Sequence, residues 1–278
     1  MVAMAGPAVI LFSLLGGAVG KCSGLSATVM SGQLALVFAF LWIAVRRFDF
    51  RPTLRIYPIG WDTVGWSVMV GVVFWPVVAG TEALTERWLS LIGPGPPFPE
   101  PTSFLDRAIC AATLILLAPV TEEPIFRGIV LRAWSRRGTV LGLVVTSMLF
   151  AAFHFELAAL FPLTFFGIGL GLLVQRSNSL YSSVVAHMSY NAVGASYLVI
   201  PRLRRMPDTW IMAAGAMALP LVIVVLWGFT RRFHARTGEL PPPEKSSGFW
   251  AVFSLLVVLG FYLLSATSVR FAPSLAGH

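Results

Sequence analysis

At 278 residues, 57% of them hydrophobic and only 12% charged, with a mean hydropathy of +0.81, the chain lies far from soluble domains, where about 25% of residues are charged. The composition is that of a polytopic membrane protein. Its net charge of +8 sits in short arginine clusters flanking apolar runs, as topology signals facing anionic lipid do, and this argues against a nucleic-acid partner. Cys22 and Cys110 lie far apart with no paired spacing, so neither a disulfide framework nor a thiolate metal site is expected.

Apolar segments near 4–20, 28–45, 63–81, 108–131, 139–155, 158–175, 180–200, 209–229 and 249–269 predict an all-α fold. They form a polytopic transmembrane helical bundle of about eight or nine spans, each of the ~20 residues that cross a bilayer. The first segment lacks the basic n-region of a cleaved signal and is read as a retained span. Arg46, Arg47, Arg51 and Arg55 follow the second segment, Arg132, Arg136 and Arg137 the fourth, and Arg231, Arg232 and Arg236 the eighth. All three clusters fall on one side, cytoplasmic by the positive-inside rule. The loop from Thr85 to Phe104, with its "PGPPFPEP" stretch and more acids than bases, falls on the other. Arg202, Arg204 and Arg205 break the pattern: either a span is miscounted or the stretch folds back to the interface. The loop from His234 to Ser247 is a polar, Pro-containing connector. No long polar region or repeat marks a second domain, so residues 1–278 are read as one membrane-embedded unit, in the plasma (cytoplasmic) membrane.

Ionisable residues inside apolar segments cost roughly 2.5–3.5 kcal/mol at mid-bilayer, so those retained mark a site hidden from lipid. The first set lies in "APVTEEPIFRGIVLRAW". Pro119 and Pro124 bracket the acids, and each removes a backbone donor, so the helix is expected to kink or open. Glu123 and Arg127 are four apart and can pair, a structural or positioning role. Glu122 faces another direction and can work as a base. A pair of acids at a cytoplasmic helix end is the plainer alternative. In "SMLFAAFHFEL", Phe150 and His154 share a face, and His154 is either a hydrogen-bonded packing residue or part of the site; Glu156 two residues on points elsewhere and can simply end the span. In "SLYSSVVAHMSYNAV", His187 and Asn191 share a face, and both can donate hydrogen bonds, to a developing oxyanion or to a neighbouring helix. Gly167 and Gly171, with Gly169 between them, give a small-xxx-small spacing that is read as packing.

Taken together, Glu122-Glu123-Arg127, Phe150-His154 and His187-Asn191, in this order, resemble the CPBP family of intramembrane proteases, which includes the CAAX prenyl endopeptidase and bacterial Abi-type proteins. The "FRG" at Phe126 to Gly128 and the "RSNSLYSSVVAHMSYN" stretch extend the likeness, which covers roughly residues 104–200 as a catalytic core. Pro124, directly after the acids, sharpens the local bend. The resemblance implies an endopeptidase in which Glu122 activates water with help from His154, while His187 and Asn191 hold the oxyanion. Glu123, Arg127 and Phe150 would be positioning residues. No cofactor is expected. The substrate would be a peptide or protein, prenylated or otherwise membrane-associated.

Three rivals stand beside this reading. A zinc protease could use two His and one Glu with water as fourth ligand, although no HExxH helix occurs. A transporter would relay protons through the same groups, but spans eight and nine lack a matching polar break. A non-catalytic immunity or scaffold protein is the third. By a count of ~1.5 Å per residue, Glu122 and His187 reach similar depths, whereas His154 comes out nearer the opposite face, so a tilted fifth span or shifted boundaries are required.

Overall fold

The computed structural model describes residues 50–90, 103–154, 156–200 and 202–233, and across them the chain is helical, with no strand. After a single helical turn at Phe50–Thr53 come α1 (Trp61–Leu89), α2 (Phe104–Ser135), α3 (Thr139–Ala152), α4 (Leu160–Ser177), α5 (Leu180–Val199) and α6 (Asp208–Arg232). Four of these, α1, α2, α4 and α6, are long and apolar enough to cross a membrane.

The described residues do not reach the expected eight or nine spans. The segments near 4–20, 28–45 and 249–269 lie outside them. The fifth segment becomes α3, only 14 residues long. At ~1.5 Å per residue it reaches about 21 Å, short of a ~30 Å hydrocarbon core. The seventh becomes α5, whose 20 residues are long enough, but it carries Ser182, Ser183, His187, Ser189, Tyr190 and Asn191 and is too polar to pass as a lipid-facing span.

Helices in lipid gain little from hydrophobic burial against one another, so close packing must hold them together. The core is aromatic: Phe74 of α1, Phe126 of α2, Phe150 of α3, Phe166 of α4 and Phe229 of α6 are all buried. Helix α4 lies between α3 and α1, and its glycines make that possible. A Cβ at Gly167 would come within 2.9 Å of the Ser147 Cβ on α3, and one at Gly169 within 2.8 Å of the Phe74 ring on α1. The small-residue spacing is therefore a packing device on two faces of α4.

The ends of the helices sort as the arginines suggest. Arg132 Nη1 donates to the Pro52 carbonyl at 3.1 Å, the Leu180 N–H to the Arg55 carbonyl at 3.0 Å, and Arg232 lies 3.8 Å from Asp62. The start of α1, the end of α2, the start of α5 and the end of α6 thus share one end of the bundle. Arg202 and Arg205 sit at the other, in a short turn between α5 and α6, with a 3-10 helix at Leu203–Arg205.

Candidate active site

The site begins with the irregular course of α2. Thr113–Leu117 and Pro124–Val130 are π-helical, and the turn of α-helix between them, Ala118–Glu123, carries both acids. The prolines explain this. The Ala118 N–H reaches back five residues to the Thr113 carbonyl. Pro119 brings no N–H for the next rung, the Leu114 carbonyl. Asn191 of α5 supplies the donor instead, its Nδ2 lying 2.6 Å from the Leu114 oxygen. The expected opening of the helix is thus a widening into π turns, a common form at functional sites.

Around the acids the side chains interlock. Arg127 Nη1 donates to Glu123 Oε1 at 3.0 Å, with both side chains fully buried, so the i,i+4 pair stands as the spacing suggests. Arg127 Nη2 donates to the Gly167 carbonyl of α4 at 3.2 Å, and the guanidinium carbon lies 4.2 Å from the centre of the Phe150 ring. Glu123 Oε1 also meets His187 Nδ1 at 2.9 Å. Glu122, 3% exposed, brings Oε2 to 4.0 Å from His187 Nε2, an electrostatic distance rather than a hydrogen bond.

His154 lies just past the end of α3, and its Nδ1 is 2.9 Å from the Phe150 carbonyl. A carbonyl only accepts, so Nδ1 carries the hydrogen and the neutral ring keeps an accepting Nε2. Helix α3 ends at Ala152, so His154 stands in the turn that follows it. Glu122 is close enough to act electrostatically on His154. Phe150 is the hub: its ring packs edge-on against His154 at 4.9 Å and His187 at 5.7 Å, besides lying under Arg127.

The structure therefore gathers Glu122, Glu123, Arg127, Phe150, His154 and His187 into one cluster. Asn191 is attached to it through the backbone of α2: the amide bonds a neighbouring helix, one of the two alternatives its position allowed. Sequence reasoning missed the carbonyls of Leu114 and Gly167, which no residue type announces. It also missed Phe166, which packs edge-on to His187 at 5.7 Å and stacks on Tyr190 at 4.2 Å.

A second group of acids was not foreseen. Glu156, in the connection between α3 and α4, meets Glu82 and Glu86 of α1, with one carboxylate oxygen from each within 4.8 Å of the others. Burial, with Glu86 adding to it, pushes the Glu156 carboxyl above the usual carboxylate range. Among the described residues, it is these three acids, rather than Glu122 with the two histidines, whose ligand atoms converge closely enough to hold a cation.

Residues 105–193 match the family model described as type II CAAX prenyl endopeptidase Rce1-like. An uncharacterized 24.3 kDa protein of Escherichia coli is 33% identical over 147 residues, covering 47% of this chain. The match takes in just under two thirds of that relative's own length, 66%. No solved structure matches the chain.

Proposed function

Residues 105–193 are Rce1-like, consistent with a CPBP family protease, and on that premise we propose that the chain is an intramembrane endopeptidase of the cytoplasmic membrane in which Glu122 activates the hydrolytic water. One observation carries this: Glu122 is buried on the α-helical turn between the two π-widened stretches of α2, facing His187 Nε2 at 4.0 Å and within the electrostatic reach of His154. Peptide hydrolysis needs a base for water, a carrier that brings a proton to the leaving nitrogen, and donors for the oxyanion. Glu122 is the base, and His154, with its accepting Nε2, helps to orient the water. His187 and the second amide hydrogen of Asn191 serve the oxyanion. Glu123, Arg127 and Phe150 hold these groups in place. The substrate is a peptide or protein tail presented from the membrane, prenylated or not, and no metal takes part.

Purified, detergent-solubilised protein tests this with peptides offered in prenylated and unprenylated form, each with and without a chelator. Cleavage is expected to persist in chelator, and the ratio between the two peptide forms assigns the substrate class. Cleavage abolished by chelator and restored by zinc would replace the glutamate mechanism with a metal-dependent one.

A further inference from the structure

We infer that Gly71 and Phe74 of α1 are positioning residues for His187, Gly71 through the backbone of α5 and Phe74 through the Phe166 ring of α4. Helix α1 lies outside the residues that match the family model, 105–193, and none of the side chains gathered around Glu122 belongs to it. Its part is to seat the two helices that carry and flank His187.

Gly71 makes the first contact. A Cβ built there would fall 2.1 Å from the Ala186 carbonyl oxygen, 2.9 Å from the Tyr190 nitrogen and 2.9 Å from the Ser189 Cβ. In an α-helix the carbonyl of residue 186 and the N–H of residue 190 close one rung, so the missing side chain leaves room for a turn of α5. His187 and Asn191 each come one residue after the two ends of that rung. From there His187 Nδ1 lies 2.9 Å from Glu123 Oε1, and Asn191 Nδ2 donates to the Leu114 carbonyl at 2.6 Å. Helix α1 thus presses on the same turn of α5 from which both residues reach α2.

Phe74, three residues further along α1, makes the second contact. Its ring is fully buried, with the Phe166 ring 5.4 Å away and Gly169 so close that a Cβ there would come within 2.8 Å of it. Phe166 in turn meets His187 edge-on at 5.7 Å. One helix therefore supports the imidazole twice, through the backbone that carries it and through a ring beside it.

An alanine at position 71 finds no relief in a rotamer change, because the atoms nearest to it are backbone. Real Cβ atoms essentially never approach closer than 3.0 Å, so the two helices must part by roughly 1 Å. When α5 yields, His187 and Asn191 move with it. When α1 yields, Phe74 withdraws from Phe166. Both routes end at His187. Resting on the protease reading above, a displacement of about 1 Å at a catalytic group costs about 100-fold in rate. Gly80 supplies the comparison: it lies on the same helix, and a Cβ there would fall 2.8 Å from the Ile211 carbonyl oxygen of α6, which carries no residue of the site.

The test compares Gly71→Ala, Phe74→Leu and Gly80→Ala in the full-length protein in bilayers, by thermal unfolding, by kinetics on a cleaved peptide and by nitrogen-15 NMR of labelled histidine. The chain has four histidines, and the His187 signals are identified by their loss in His187→Gln. In Gly71→Ala these signals should move and kcat should fall about 100-fold with KM little changed, and in Phe74→Leu the same should occur at about 10-fold. Gly80→Ala should leave both as in the wild type, even where it lowers the unfolding temperature as far as Gly71→Ala does. Unmoved signals with undiminished kcat in either of the first two variants would overturn the inference, and so would equal changes in Gly80→Ala. Should Gly71→Ala fail to fold, Phe74→Leu, which introduces no clash, decides against Gly80→Ala by the same criteria. A wild-type protein that cleaves no peptide would refute the protease reading, and the His187 signals, which need no substrate, would still decide whether α1 positions this ring.

Discussion

Glu122→Gln is expected to abolish most peptide cleavage while leaving the fold intact. Removing a general base costs about 10²–10⁴-fold in rate, and this substitution changes only the ability to take a proton. It keeps size and shape in a side chain that is 3% exposed. It also spares the buried ion pair, because Arg127 Nη1 bonds Glu123 at 3.0 Å. Initial rates on a cleaved peptide, beside thermal unfolding of the same two preparations, read both halves of the expectation. Undiminished cleavage would remove Glu122 from the mechanism. Lost cleavage together with a lost fold would show that its burial matters more than its proton.

Arg127→Met is expected to act in the opposite way, on stability first. The variant strands Glu123 as a buried charge, and breaking one side of a buried ion pair costs about 3–5 kcal/mol. It also removes the donor to the Gly167 carbonyl and the cation lying 4.2 Å from the Phe150 ring. Arg127→Lys should fall between the two, since an ammonium keeps the charge but lacks the planar fork that reaches acceptors on two helices at once. Denaturation in mixed micelles measures these differences. Equal midpoints for all three proteins would show that the pair contributes nothing to the fold.

The parts of this arrangement visible in the sequence are those carried by local spacing. The apolar runs read near 63–81, 108–131, 158–175 and 209–229 became α1, α2, α4 and α6, extended at ends where polar residues such as Glu82, Glu86 and Arg87 continue the helix. The Glu123–Arg127 pair follows from a four-residue step on one helix. The bond from His187 to Glu123 crosses 64 residues, and periodicity carries no trace of such a contact. Asn191 could be placed on a face with His187, but its partner is a backbone carbonyl 77 residues away, and every residue has one of those. Helix α3 was misjudged for a related reason. Hydropathy measures how apolar a segment is, and the stretch through Phe153 stays apolar after the helix has stopped at Ala152, so composition overstated its reach.

The bond from Asn191 to the Leu114 carbonyl also bears on when the site comes into being. Membrane helices insert one by one before they associate, and a carbonyl left without a donor in hydrocarbon costs several kcal/mol. Before α5 docks, the stretch around Pro119 has every reason to spend its time in other shapes that hide this carbonyl. Hydrogen exchange on a fragment ending before residue 180 would show whether the stretch is unsettled there. The bend that aims Glu122 is completed by a residue synthesised some seventy positions later, and the histidine it faces arrives on that same helix. Glu122 and His187 are therefore brought into register by one docking event, so on the proposed mechanism a partly assembled chain would hold no working site.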